Sequence, residues 1–328
     1  MKNADTYYDR KMCSEIVNHI NLKLSWLIQY VKDHPSLDFQ TGHDPKMNRS
    51  WFSIYRGTGR VFTIEAINNK IKPYFAADAY VKLMPELFEE PSPELFDKYL
   101  SIIESEPKFD RYYKGSKGIP KEGYFQGLIG RRYTFNLTDD DDFVIIDKEF
   151  VIGFKDEATK KDWNEDKIIP DQIEKIKEFR DQYKGKLPKE IKASYGEFDF
   201  LALNKNGDIL IMELKQDDPQ KTALAPIQTN YYYRQFEKLM KEDSLLSNKI
   251  NYMIAQKIEL GIISDCFKNN LPVQLSGRII PCVIVGEEEH LSDTICERYK
   301  FARNLFLPAM LAYTCEDNGT LVKSKKLE

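Results

Sequence analysis

The sequence predicts a mixed α/β (α+β) protein in two parts, an N-terminal α/β domain over 1–165 and a C-terminal domain over 166–328 in which a mixed sheet is flanked by helices. Two observations carry the class. Apolar, branched and aromatic runs of strand length recur along the chain, at 51–55, 61–67, 143–154, 196–202, 208–215 and 278–286. Between them lie stretches whose apolar residues fall at helical spacing, as at Ile16, Ile20, Leu24, Leu27 and Val31. A third observation sets the scale: 328 residues with 42% hydrophobic content can build two cores.

In order, the chain opens with a helix expected over 9–32, followed by a hairpin of 51–55 and 61–67. The intervening Gly57-Thr58-Gly59 lacks a following lysine and a strand-to-helix setting, so it reads as a turn and not as a phosphate loop. Residues 77–104 read as two or three short helices, interrupted by Pro85, Pro91 and Pro93. A polar region over 114–130 leads to strand-like runs at 133–137 and 143–154, separated by the solvated acidic turn Asp139 to Asp142. Tyr112, Tyr113, Tyr124, Phe125 and Tyr133 are interleaved with Lys114, Lys117, Lys121, Arg131 and Arg132. That mixture suits a base-stacking, phosphate-neutralising surface as well as it suits the rim of a small domain.

In the second half, Pro170-Asp171 opens a helix with Ile173, Ile176, Phe179 and Tyr183 as its apolar stripe. A helix over 221–241 follows the two central strands, and a long helix over 244–263 is expected to extend the same core. The run Arg278 to Gly286 reads as a strand covered on both faces, and Pro281 within it predicts pairing on one side only at that point. A helix over 291–304, a strand over 310–314 and a fraying polar tail after Cys315 complete the chain.

The most informative stretch joins Gly196-Glu197-Phe198-Asp199 to Glu213-Leu214-Lys215. The turn signal Asn206-Gly207 separates them, so the two runs read as an antiparallel hairpin. Side chains alternate along a strand, which puts Glu213 and Lys215 on one face, with Asp199 beside them on the neighbouring strand. An apolar strand has no structural need of a carboxylate and an ammonium in its centre, and such charges are costly unless paired or metal-bound. Two carboxylates offer the hard oxygen ligands that Mg²⁺ prefers while leaving room for waters and a phosphate oxygen. Lys215 can then orient an attacking water and offset charge on phosphorus. The same residues also suit a solvated ion pair on an edge strand, and spacing alone does not choose.

The following helix adds Gln228 and Tyr232, four apart on one face. A second stripe, Arg234, Lys238 and Lys241, can track a nucleic-acid backbone or simply face solvent. Lys184, Lys186, Lys189 and Lys192, opposed only by Glu190, are further phosphate-contact candidates.

Taken together, Gly196-Glu197-Phe198-Asp199, Glu213-Leu214-Lys215, Gln228 and Tyr232 resemble the PD-(D/E)xK nuclease superfamily, in its resolvase-like and RecB-like flavour with a Q-x-x-x-Y motif. Phe198 stands where the name-giving proline would be, and nothing before 166 carries the resemblance. The resemblance implies a restriction-endonuclease-like core and a catalytic set of Asp199, Glu213, Lys215, Gln228 and Tyr232. It implies that Asp199, Glu213 and the backbone carbonyl of Leu214 bind Mg²⁺, with Mn²⁺ as a substitute, and that Glu174 or Glu178 is a further candidate ligand. The implied activity is metal-dependent hydrolysis of phosphodiester bonds, in DNA more than RNA, of restriction or defence type, by a protein that can pair as a homodimer. The alternatives are an RNase or an effector nuclease switched on by a small molecule or protein signal at the N-terminal domain, and a non-catalytic nucleic-acid-binding protein on the same fold.

Composition narrows the field. A net charge of -4 confines any nucleic-acid binding to local basic patches. Five cysteines without C-x-x-C spacing, and four histidines of which none joins a motif, fit free thiols in a reducing cytoplasm and argue against zinc or a disulfide framework. No apolar run approaches membrane-spanning length, so no membrane partner is expected.

Overall fold

The computed structural model describes residues 6–115, 120–183, 191–216, 218–270 and 274–328. The elements run β1 (Thr6–Tyr7), α1 (Ser14–Lys23), α2 (Ser25–Asp33), β2 (Asp38–Asp44), β3 (Arg49–Arg56), β4 (Gly59–Ile67), β5 (Lys70–Ile71), α3 (Asp78–Val81), α4 (Pro93–Ser105) and α5 (Glu122–Arg132). They continue with β6 (Phe143–Phe150), β7 (Gly153–Phe154), α6 (Glu157–Glu165), α7 (Ile168–Gln182), β8 (Phe198–Asn204), β9 (Ile209–Lys215), α8 (Pro219–Glu242) and α9 (Leu246–Glu259). The chain closes with β10 (Ile279–Val285), α10 (Asp293–Phe306), β11 (Leu311–Cys315) and β12 (Leu321–Lys323). The class is mixed α/β, as expected.

Two compact units emerge, and neither is contiguous. One gathers residues 1–8, 142–247 and 271–328, the other 9–141 and 248–270. The boundary expected at 165 therefore falls inside the first unit, because β6 pairs antiparallel with β8. Most of the helix expected to extend the C-terminal core belongs instead with the second unit, where the Gln256 side chain both accepts from the Met12 amide at 2.8 Å and donates to its carbonyl at 2.9 Å.

The first unit holds a six-stranded sheet in the order β12-β11-β10-β9-β8-β6. β9 and β10 run parallel in register from Ile209↔Ile279 to Lys215↔Val285, and β8 and β9 form the antiparallel hairpin. The hairpin loop is built by Asn204, whose Oδ1 accepts from the amides of Asn206 at 3.0 Å and Asp208 at 2.8 Å. Gly207 takes φ +83°, a left-handed conformation that glycine adopts without strain. β9 is buried along its whole length, as a central strand rich in branched residues should be. At Pro281, β10 pairs with β9 alone, and β11 joins only from Cys282, so the missing N–H falls on the unpaired side. Helices α8 and α10 contribute to an apolar cluster of Ala223, Ala225, Ile295 and Tyr299 against Val283, Val285 and Ala312.

The segment after Cys315 does not fray. β12 pairs with β11, Leu327 is fully buried, and the Glu288 carboxylate accepts from the Ser324 hydroxyl and from the Lys325 amide at 3.3 Å. Here long-range packing overrides a polar local sequence.

The second unit has a four-stranded antiparallel sheet, β2-β3-β4-β5, against α1, α2 and α4. The expected hairpin is present as β3 and β4, whereas the expected first helix is broken at Leu24 into α1 and α2. Residues 133–137 form turns and not a strand. The aromatic and basic residues of this region face inward in part: the Arg131 guanidinium is buried and donates to the carbonyls of Val31, Lys32, His34 and Leu37, closing the end of α2. The acidic turn is tied down by Asp141, which meets Arg132 through both oxygens at 2.7 Å.

Candidate active site

The chemistry-bearing side chains converge where β8 and β9 separate. Hairpin pairing ends at Phe200↔Met212. One residue beyond, the Asp199 side chain takes over the role of a strand carbonyl, its Oδ2 accepting from the Leu214 amide at 2.7 Å. The Leu214 N–H thus holds Asp199 at the site. On the same face of β9, Lys215 Nζ donates to Glu213 Oε1 in a buried ion pair, with Glu213 2% and Lys215 7% exposed. The pairing is tight because neither charge has bulk water to fall back on.

Burial raises the proton affinity of Asp199 above that of an ordinary carboxylate, while Lys215 and the Leu214 amide pull it back. Glu149 adds to the rise. It lies on β6 between Lys148, paired with Phe200, and Phe150, paired with Phe198, which sets it across from Asp199. Its φ of +48° is a left-handed conformation that costs a non-glycine residue energy.

Gln228 and Tyr232 also belong here. Gln228 Nε2 donates to the Tyr232 hydroxyl at 3.2 Å, and that hydroxyl donates to the Glu197 carbonyl, pinning the segment that leads into β8. Burial and the Glu213 charge push the Tyr232 pKa upward. A further residue, Tyr195, packs its ring 6.1 Å from that of Tyr232 and 5.9 Å from that of Tyr231. Its phenol is pushed up to about 12 by burial and by Glu213, with Lys215 opposing.

Other candidates stand apart. Glu174 and Glu178 are exposed on α7, and neither is among the charges that principally act on Asp199. Arg234 is shared between Asp171 at 3.9 Å and Glu237 at 3.8 Å. Lys241 pairs with Glu237 at 3.5 Å, and Lys238 meets Asp166 at 3.5 Å and lies 4.9 Å from the Trp163 ring centre. Lys192 is exposed, and Lys184, Lys186 and Lys189 lie outside the described residues.

Glu149 and Tyr195 are site residues beyond those that the sequence singles out. For Glu149 a signal existed, since a carboxylate late in an apolar strand is the same anomaly that singles out Glu213. Tyr195 lies in an irregular segment and carried no periodic signal.

Among the described residues no group of three or more His, Cys, Asp or Glu side chains is arranged to hold a metal, and no helix is long and apolar enough to cross a membrane. All five cysteines are free thiols. Comparison with family models, with curated proteins and with solved structures finds no match.

Proposed function

We propose that the chain is a metal-dependent nuclease of the PD-(D/E)xK type, with the cleft between β8 and β9 as its phosphodiester site. One observation carries the reading: the half-buried Asp199 and the buried pair of Glu213 and Lys215 lie together at the point where two strands part, with Gln228 and Tyr232 bracing the segment that delivers Asp199. A core that needed only stability would gain from replacing such charges by apolar groups.

The donor set suits Mg²⁺, which keeps several waters and needs only one or two carboxylates from protein. Asp199 and Glu213 would hold it, and a divalent cation there would offset the burial that favours protonation of Asp199. Bound there, the cation supplies Lewis acidity and a water of lowered pKa.

The rest is the work of side chains. Asp199 is oriented for its task by the Leu214 amide, which fixes one of its oxygens. Lys215 must exchange Glu213 for a water or a phosphate oxygen, so that its ammonium both orients the nucleophile and opposes charge growing on phosphorus. Tyr232 and Gln228 hold the Glu197 carbonyl in place, and the Tyr195, Tyr231 and Tyr232 rings pack together beside it.

The test is incubation of the purified protein with plasmid, linear DNA and RNA in Mg²⁺, Mn²⁺ or chelator. Cleavage that needs the metal and disappears in Asp199→Ala and Glu213→Ala supports the reading. Metal-dependent cleavage that persists in both variants assigns the activity elsewhere.

A further inference from the structure

Arg298, on α10, is a buried cation with no counter-ion among the described residues. It is 7% exposed, its Nη1 donates to Gln220 Oε1 at 3.1 Å, and its guanidinium carbon lies 5.8 Å from the centre of the Tyr183 ring. Its Nε is enclosed and has no hydrogen-bond partner. Among the described residues no carboxylate lies within ion-pair distance of it. Arg56, whose Nε and Nη1 also lack hydrogen-bond partners, has a counter-ion in Asp110 at 2.9 Å, and Arg131 is ringed by carbonyls. Enclosing an uncompensated guanidinium costs several kcal/mol, an expense that packing alone does not recover.

The position gives that charge a use. Gln220 is the second residue of α8, a helix of 24 residues, and the guanidinium is therefore held at the helix's first turn. Aligned peptide dipoles make such a turn electropositive and favour anions there. The Asp218 carboxylate caps the Gln220 amide at 2.9 Å and answers part of the helix charge, so an incoming anion gains mainly from Arg298. α8 starts four positions after Lys215, at the carboxyl end of the parallel strands β9 and β10, where ligands collect in open sheets.

We propose that Arg298 and Gln220, at the first turn of α8, form a phosphate-binding site that grips a backbone phosphate of a polynucleotide strand. The polynucleotide rests on the nuclease reading; the phosphate site does not. A planar guanidinium offers a phosphate directional hydrogen bonds through its Nη groups as well as charge, the enclosed Nε lying out of reach.

The full chain is compared with R298M and R298K in two measurements. In thermal unfolding, inorganic phosphate at ionic strength matched with chloride raises the Tm of the parent chain and not that of R298M. In equilibrium binding of an oligonucleotide in chelator, R298M loses about tenfold in affinity and its salt slope falls by about one, while R298K keeps part of both. Equal phosphate stabilisation of parent and R298M, or none in the parent, overturns the proposal. If R298M does not fold, the phosphate titration of the parent chain decides alone. Phosphate stabilisation without oligonucleotide binding upholds the anion site and sinks the nucleic-acid reading, so the two failures are distinguishable.

Discussion

Replacing Lys215 by alanine removes the ammonium that pairs with Glu213, a carboxylate 2% exposed to solvent. Breaking a buried ion pair from one side costs about 3–5 kcal/mol, because the remaining charge stays desolvated and uncompensated. Against a typical total stability of about 5–15 kcal/mol, that is a large fraction. The corresponding fall in Tm is on the order of 10 °C. The assay is thermal unfolding in chelator, followed by near-UV and far-UV circular dichroism. Removing both charges, as in Glu213→Gln with Lys215→Ala, should cost less than the sum of the two single substitutions, giving a coupling energy of roughly 1–3 kcal/mol in a double-mutant cycle. Adding Mg²⁺ should then restore Lys215→Ala more than it stabilises the parent, since a divalent cation would replace the missing positive charge. A Lys215→Ala protein within about 0.5 kcal/mol of the parent in chelator would refute the reasoning, because exposed pairs behave that way.

Three further outcomes are expected. Asp199→Asn keeps an acceptor for the Leu214 amide while removing a charge that burial disfavours. The parent's folded-state pKa at this residue lies above the ordinary 3.8, so its stability drops as pH rises through that window. The variant should therefore match the parent below the window and exceed it at neutral pH, with cleavage lost; a variant less stable at pH 7 contradicts the burial argument. Tyr232→Phe strands the Glu197 carbonyl and the Gln228 amide, costing about 1–3 kcal/mol and lowering cleavage, measured by chemical denaturation and by initial rates. Leu327→Ala empties a fully buried site and should cost about 2–5 kcal/mol in the same denaturation experiment; a neutral result would mean that the C-terminal segment is not packed as described.

The parts of the fold that local chemistry dictates were legible in the sequence. Asn206-Gly207 marked the central hairpin, the strand period put Glu213 and Lys215 on one face, and Pro281 announced one-sided pairing. The misreadings share a cause, which is that long-range contacts decided the outcome. Residues 133–137 have strand-forming side chains yet form turns, with Thr134 donating to the Gly130 carbonyl at 2.7 Å. The polar tail folds because Glu288 and a pocket for Leu327 await it. Glu149 reaches the site only through the register of β6 on β8, which no local pattern encodes. The basic stripe on α8 is met both by Asp171 and Asp166, more than sixty residues away along the chain, and by Glu237 within one turn of the same helix.

The antiparallel seam between Phe143–Phe150 and Phe198–Asn204 has a practical consequence for anyone dissecting this protein. A fragment starting at 166 would discard the ribbon that shields one margin of the hairpin of β8 and β9. It would present a row of bare amides and carbonyls to its neighbours, an invitation to strand exchange and precipitation. Loss of activity in such a fragment would then report a damaged sheet, not a missing recognition module.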